Sequence, residues 1–342
     1  MAAALCSAER AAWNYAQTVC VKMHSHRFCA VPREKRRWKI KAREGRFVFY
    51  FVVVVGIAAW RFIPRPWHPS LTFQTPHHTI YSTATKQQTE ETAHALELLH
   101  VSYANLFKQS PDFEPVHPQL KLRLFKDRDE MRRVNPGMGW AEAFYRRPYC
   151  NAYFSANETN PYHWMLHESV HQLNDEVAHL KLSKWLEEGL ADYFATSRLL
   201  TNELAVGRID PNTYPVWWMD LIATTPDLAE NIQNKSVIPL RSIIENRGGP
   251  SMSGHFNLYY LHWWTLTHFI FENPRYRPSG LKLAEQGGGL LAFERTIGSV
   301  DAVETEWHRY VRTLKETLAG VDPTFLKTGK VPEPAQASTT NK

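Results

Sequence analysis

The sequence predicts an α+β protein, mainly helical, with a small mixed sheet ahead of a central pair of helices. Three observations predict it. Apolar residues recur at helical spacing in several long segments, while the two-residue alternation of strands is confined to residues 120–155. Hydrophobic content of 44% with 12 tryptophans gives the 342-residue chain enough apolar mass for one sizeable core. No internal repeat and no Gly-rich phosphate loop breaks the pattern.

Residues 1–46 read as a basic arm. Residues 1–60 hold 11 Lys/Arg against 3 Asp/Glu, leaving 29 against 31 beyond them. The net charge of +6 therefore belongs to the N-terminus, and nucleic-acid binding by the body loses its electrostatic support. The segment "REKRRWKIKAREGR" (33–46) runs into "FVFYFVVVVGIAAW" (47–60), fourteen uncharged, mostly apolar residues. Basic-then-apolar order predicts a membrane anchor or signal segment over 47–63. It puts the N-terminus in the cytoplasm and the rest outside, whether periplasmic, extracellular or luminal. A span wants ~20 residues. Gly56-Ile57-Ala58 offers a processing site, but an uncleaved single-pass anchor is expected. Cys6, Cys20 and Cys29 precede the run and Cys150 alone follows it, so the exported part forms no internal disulfide.

Residues 64–84, with "IPRPWHPS" (63–70) at their start, read as a Pro-containing stalk, and residues 85–320 as the main domain. In it, Ala93, Leu96, Leu99, Tyr103 and Leu106 predict a helix over 85–108. "LKLRLFK" (120–126) alternates like a half-buried strand, "DRDEMRR" (127–133) suggests a short helix, and "NPGMGW" (135–140) a turn. "AFYRRPYCNAYFS" (143–155) predicts a strand or hairpin. A helix starts near Pro161 and buries Met165, Leu166, Val170, Leu173 and Val177. "SKWLEEGLADYFATSRLL" (183–200) predicts a second, capped by Ser183. Residues 207–250 hold turns. "HFNLYYLHWWTLTHFIFE" (255–272) reads as a buried aromatic helix, 292–314 as two short helices around Gly298, and 321–342 as a disordered tail.

"HWMLHESVHQL" (163–173) carries the chemistry. His167 and His171 are four residues apart, so both project from one helical face and can grip one ion. Glu168 beside them can reach a water on that ion. With 16 His and 24 Glu in the chain, about 0.05 chance matches to this pattern are expected. A catalytic zinc needs a third protein ligand, and "KWLEEGLADYF" (184–194) offers Glu187 or Glu188, the latter 17 residues after His171. Asp192, on the face of Glu188, either fixes the tautomer of a ligating histidine or is a solvated helix carboxylate.

His167-Glu168-x-x-His171 followed by Trp185-Leu186-x-Glu188-Gly189-x-Ala191 resembles the gluzincin zinc metallopeptidases, closest to the peptidase-MA-like group related to the zinc aminopeptidases. The resemblance implies Zn2+ held by His167, His171 and Glu188, with Glu168 as general base in the hydrolysis of a peptide or protein substrate. Its W-L-x-E-G register selects Glu188 over Glu187. Tyr260, matching the family's later helix at "YLHWWTLTHFI", is the candidate oxyanion donor, with Tyr259, His262 and Tyr193 as competitors. Pattern-level similarity extends over roughly residues 85–315. Two departures stand out: the spacer between the motifs is two residues shorter than the common aminopeptidase form, and the substrate-anchoring G-A-M-E-N motif is absent. Aminopeptidase specificity is therefore not implied. The alternative is a catalytically silent zinc- or peptide-binding envelope protein. His163 and His179, flanking the pair, read as bystanders.

Overall fold

The computed structural model describes residues 42–62 and 65–319. The basic arm up to residue 41, its three cysteines and the tail 321–342 lie outside the described residues. The chain divides into two compact units, residues 1–57 and 58–342. Of the first only residues 42–57 are described, part of helix α1 (Ala42–Phe62), where Phe47, Phe49 and Phe51 are largely exposed. Among the described residues no helix is long and apolar enough to cross a membrane, so the anchor expected over 47–63 finds no support here. The helix has 21 residues, but its uncharged run is shorter. Fourteen uncharged residues between Arg46 and Arg61 cover about 21 Å as helix, against the ~30 Å of a hydrocarbon core.

The second unit is α+β, as its pattern predicts. A five-stranded mixed sheet in the order β1-β2-β3-β5-β4 packs against a larger helical body. Its strands are β1 (Leu71–Gln74), β2 (His78–Ser82), β3 (Leu120–Phe125), β4 (Ala143–Arg146) and β5 (Tyr149–Tyr153). Central β3 is parallel to both β2 and β5, while β1 and β4 form antiparallel edges. Leu120, Leu122 and Leu124 are buried, and register sets Leu122 between Ile80 and Cys150. Alternation in "LKLRLF" thus directs one face to the core. Residues 71–82, expected as part of a stalk, instead build two of the strands. Leu71 and Phe73 turn inward more than Thr72 and Gln74, but strands of four and five residues give too short an alternation to read.

Helix α2 (Lys86–Phe107) starts on a capping box between Thr85 and Gln88, and α3 (Arg128–Val134) on Asp127, whose carboxylate accepts from Glu130 N–H at 2.7 Å. Helix α4 (His163–Glu176) lies on β4 and β5 and packs against α5 (Lys184–Ala195). Helix α5 ends five residues before its expected limit. Thr196 caps it, and Ser197–Leu199 (β6) turns into a ribbon with β7 (Leu204–Ile209). Ser183 is positioned as the N-cap but makes no side-chain cap bond, contrary to expectation. Short helices α6 (Leu228–Gln233) and α7 (Leu240–Glu245) occupy the stretch that sequence patterns left blank.

Helix α8 (Phe256–Glu272) runs through the helical body, surrounded by α5, α7, α9 (Arg277–Glu285) and α11 (Val300–Ala319), with α10 (Leu290–Thr296) further along the chain. Thirteen of its 17 residues are buried, the mark of a helix covered on all sides. Two of its buried polar groups are paired across the body: His262 accepts from Ile238 N–H at 2.9 Å, and Thr265 accepts from Trp307 Nε1–H at 3.2 Å.

Candidate metal centre

Three helices meet at the site. In α4, Met165, Leu166, Val170 and Leu173 are buried, which fixes the helix's rotation and directs His167 and His171 toward α5. In α5, Trp185, Leu186, Leu190 and Ala191 are buried, and Trp185 Nε1–H donates to Gly288 O at 2.7 Å. Gly189 is where α5 crosses α8. A Cβ there would stand 2.5 Å from Trp263 O and closer still to Thr267 Oγ1. Only glycine permits that approach, which brings Glu188 on α5 to Tyr260 on α8.

His167 Nε2 and His171 Nε2 are 3.2 Å apart, and Glu188 Oε2 lies 3.4 Å from the first and 3.7 Å from the second. A tetrahedral ion with bonds of ~2.0–2.1 Å sets its ligands ~3.3–3.4 Å apart, and the three separations straddle that value. Two nitrogens and one carboxylate oxygen are also the donor types zinc favours. Both rings and the carboxylate therefore fit a common cation. The Glu168 carboxylate has an oxygen within 4.8 Å of both imidazoles, but its Oε2 accepts the backbone N–H of Tyr145 at 2.8 Å. Held by edge strand β4, it stands beside the triangle. Glu187 is the weaker rival: its side chain is 48% exposed against 17% for Glu188, and its nearest approach is 3.8 Å to His171 Nδ1.

Asp192 is fully buried, and His167 Nδ1 lies 2.8 Å from its Oδ1. Of the two roles open to it, tautomer control has the geometry and solvation does not. A carboxylate only accepts, so Nδ1 carries a proton, and Nε2 is the atom at which a cation would compete with a second one. Burial alone would push His167 down, but Asp192, Glu188 and Glu168 outweigh it and hold the imidazole well above its ordinary value. Burial drives the Asp192 carboxyl up to about 7, against the pull of His167. The two tendencies compete for one proton. His167 keeps it, since its other neighbours are carboxylates too. Burial likewise opposes ionisation of Glu188, yet its bond to His167 and the adjoining imidazoles hold it at about 2.

Tyr260 donates to Glu188 Oε2 at 3.0 Å. Burial first, then Glu188 and Asp192, raise its phenol far above the ordinary range, so it stays a neutral donor. Its competitors are engaged elsewhere: Tyr259 donates to Pro250 O, Tyr193 to Glu272, and His262 Nδ1 to Leu258 O. His163 and His179 bond to the carbonyls of Asn160 and Asp175, away from the triangle. Sequence patterns missed Tyr145, whose contribution is a backbone N–H, and the aromatic walls. The triangle opens into a cleft of about 350 Å3 lined by Trp140, Phe144, Trp164, Tyr214 and Phe256. A larger hollow of about 620 Å3, beside Leu98, Asn105 and Arg208, is lined by none of His167, Glu168, His171, Glu188 and Tyr260.

Comparison with known family models and with curated proteins finds no match to the chain.

Proposed function

We propose that the domain hydrolyses peptide bonds in a peptide or protein substrate with a zinc ion held by His167, His171 and Glu188, in the manner of the gluzincins it resembles. One observation carries the reading. Three donors from two helices converge at 3.2, 3.4 and 3.7 Å, with a separate carboxylate, Glu168, anchored next to them in an aromatic cleft. When bound, zinc would supply Lewis acidity, polarising the scissile carbonyl and lowering the pKa of a water toward ~7.

The protein's own groups do the rest. Glu168, oriented by Tyr145 N–H, takes a proton from the attacking water and returns it to the departing amine. Tyr260, a neutral donor at the cleft, offers its O–H to the oxyanion that develops on the carbonyl. Asp192 keeps the His167 ring in its ligating tautomer. Trp140 and Phe256, 74% and 45% exposed, border the cleft with apolar surface suited to substrate side chains. The basic-then-apolar order of residues 33–60 supports export or membrane attachment of this domain.

Glu168→Gln tests the reading. The variant should keep its zinc and lose peptide hydrolysis by about 10²–10⁴-fold. A variant as active as wild type would remove Glu168 from the chemistry, and no hydrolysis by either protein would favour a silent binding module.

A further inference from the structure

A second group of histidines gathers where the β1–β2 turn, the middle of α2 and the segment entering β3 meet. Glu97 bridges two of them, with Oε2 2.6 Å from His77 Nδ1 and Oε1 2.8 Å from His78 Nδ1. His117 Nδ1 lies 2.8 Å from Pro118 O. A carbonyl only accepts, so His117 carries its proton on Nδ1 and presents the Nε2 lone pair. That lone pair faces His100 Nε2 at 2.9 Å. His100 is buried, while His117 is half-exposed and gives solvent a way in.

The pair is arranged like His167 and His171, though its Nε2 atoms must part by about 0.4 Å to reach the spacing of a tetrahedral ion. Nε2 separations are 2.9 and 3.2 Å, and ring centroids lie 5.1 and 4.9 Å apart. Both pairs also have a ring whose Nδ1 is committed to an oxygen acceptor, the arrangement that readies an imidazole for a metal. We propose that His100 and His117 form a second site for an imidazole-favouring divalent metal, Zn2+ by preference, with water completing the coordination. His77, stacked on His100 at 3.7 Å and held by Glu97, covers one side of it. In the metal-free pair the His100 proton sits between the two Nε2 atoms; it moves to Nδ1 when the cation takes both lone pairs. An ion there ties α2 to the segment entering β3.

The test is equilibrium dialysis of the full chain against Zn2+, with parallel thermal melts. His171→Ala removes the first site, so that chain should still bind about one zinc and melt higher when zinc is added. His171→Ala combined with His117→Gln should bind none and show no shift. Cu2+ substituted into the His171→Ala chain should give nitrogen hyperfine structure from two imidazoles, lost with His117→Gln. His117 is the position to change because it is half-exposed and its replacement leaves the core intact. Equal zinc binding with and without His117 would overturn the proposal and leave the pair as an N–H···N hydrogen bond. Failure of the first site would appear separately, as no loss of zinc on His171→Ala.

Discussion

Gly189→Ala probes the helix crossing that assembles the site. The added methyl would stand 2.5 Å from Trp263 O, a backbone atom that cannot rotate away, and would overlap Thr267 Oγ1. A carbon–oxygen contact needs about 3.4 Å, so α5 and α8 must separate by about 1 Å. Overpacking of this kind costs about 1–3 kcal/mol, and a backbone obstacle places it at the upper end. For a domain of this size, about 3 kcal/mol lowers Tm by about 6–12 °C. The same retreat would stretch the 3.0 Å bond between Tyr260 and Glu188 to about 4 Å, beyond hydrogen bonding. Zinc affinity should fall about 10–100-fold, the usual effect of disturbing what supports a ligand. Calorimetry and chelator competition measure both. Gly289→Ala is the control, because a Cβ there meets nothing within 4 Å. If Gly189→Ala melts with wild type and holds zinc equally well, glycine is not what lets the helices meet.

Asp192→Asn should retain the fold but bind zinc about 10–100-fold more weakly in chelator competition, because an amide can present the wrong group to His167 Nδ1. Tyr260→Phe should lower kcat about 10²–10³-fold with zinc content unchanged; steady-state kinetics with an unaltered kcat would take the hydroxyl out of the reaction. Stability should also depend on His262, which is neutral with both nitrogens engaged by Ile238 N–H and Leu258 O, and which burial pushes down to about 4. The unfolded chain takes up that proton first, so stability is full above pH ~6.5 and falls as pH drops, by about 3 kcal/mol near pH 4. Urea midpoints between pH 7.5 and 4.5 should therefore decline less in His262→Gln than in wild type.

The helices of the centre are legible because their information is periodic. Met165, Leu166, Val170 and Leu173 set the rotation of α4, and the i,i+4 spacing then puts His167 and His171 on one face. Glu188 is picked out by its W-L-x-E-G register, and in this chain the α5–α8 crossing accounts for the glycine that follows it. What escapes the pattern depends on tertiary partners. Strands β1 and β2 are too short to alternate convincingly beside "IPRPWHPS", and they exist because β3 offers Leu120–Leu124 as a template. Apolar residues run on through Leu200, yet α5 stops at Ala195 because Ser197–Leu199 pairs with β7. Tyr145 acts through its main chain, which no side-chain pattern reveals. The stretch over 207–250 folds into short helices whose order comes from packing on α8 and α11 rather than from periodicity. His77, His100 and His117 are scattered over forty positions and meet only because the sheet brings the start of β2 and β3 alongside α2.

Metal analysis of the purified full chain, set against His171→Ala and Glu188→Ala, is the most direct check on the centre. Each substitution should remove about one equivalent of zinc and abolish peptide hydrolysis, since each takes away one corner of the triangle. Zinc content and hydrolysis that survive both changes would contradict a metal held between α4 and α5.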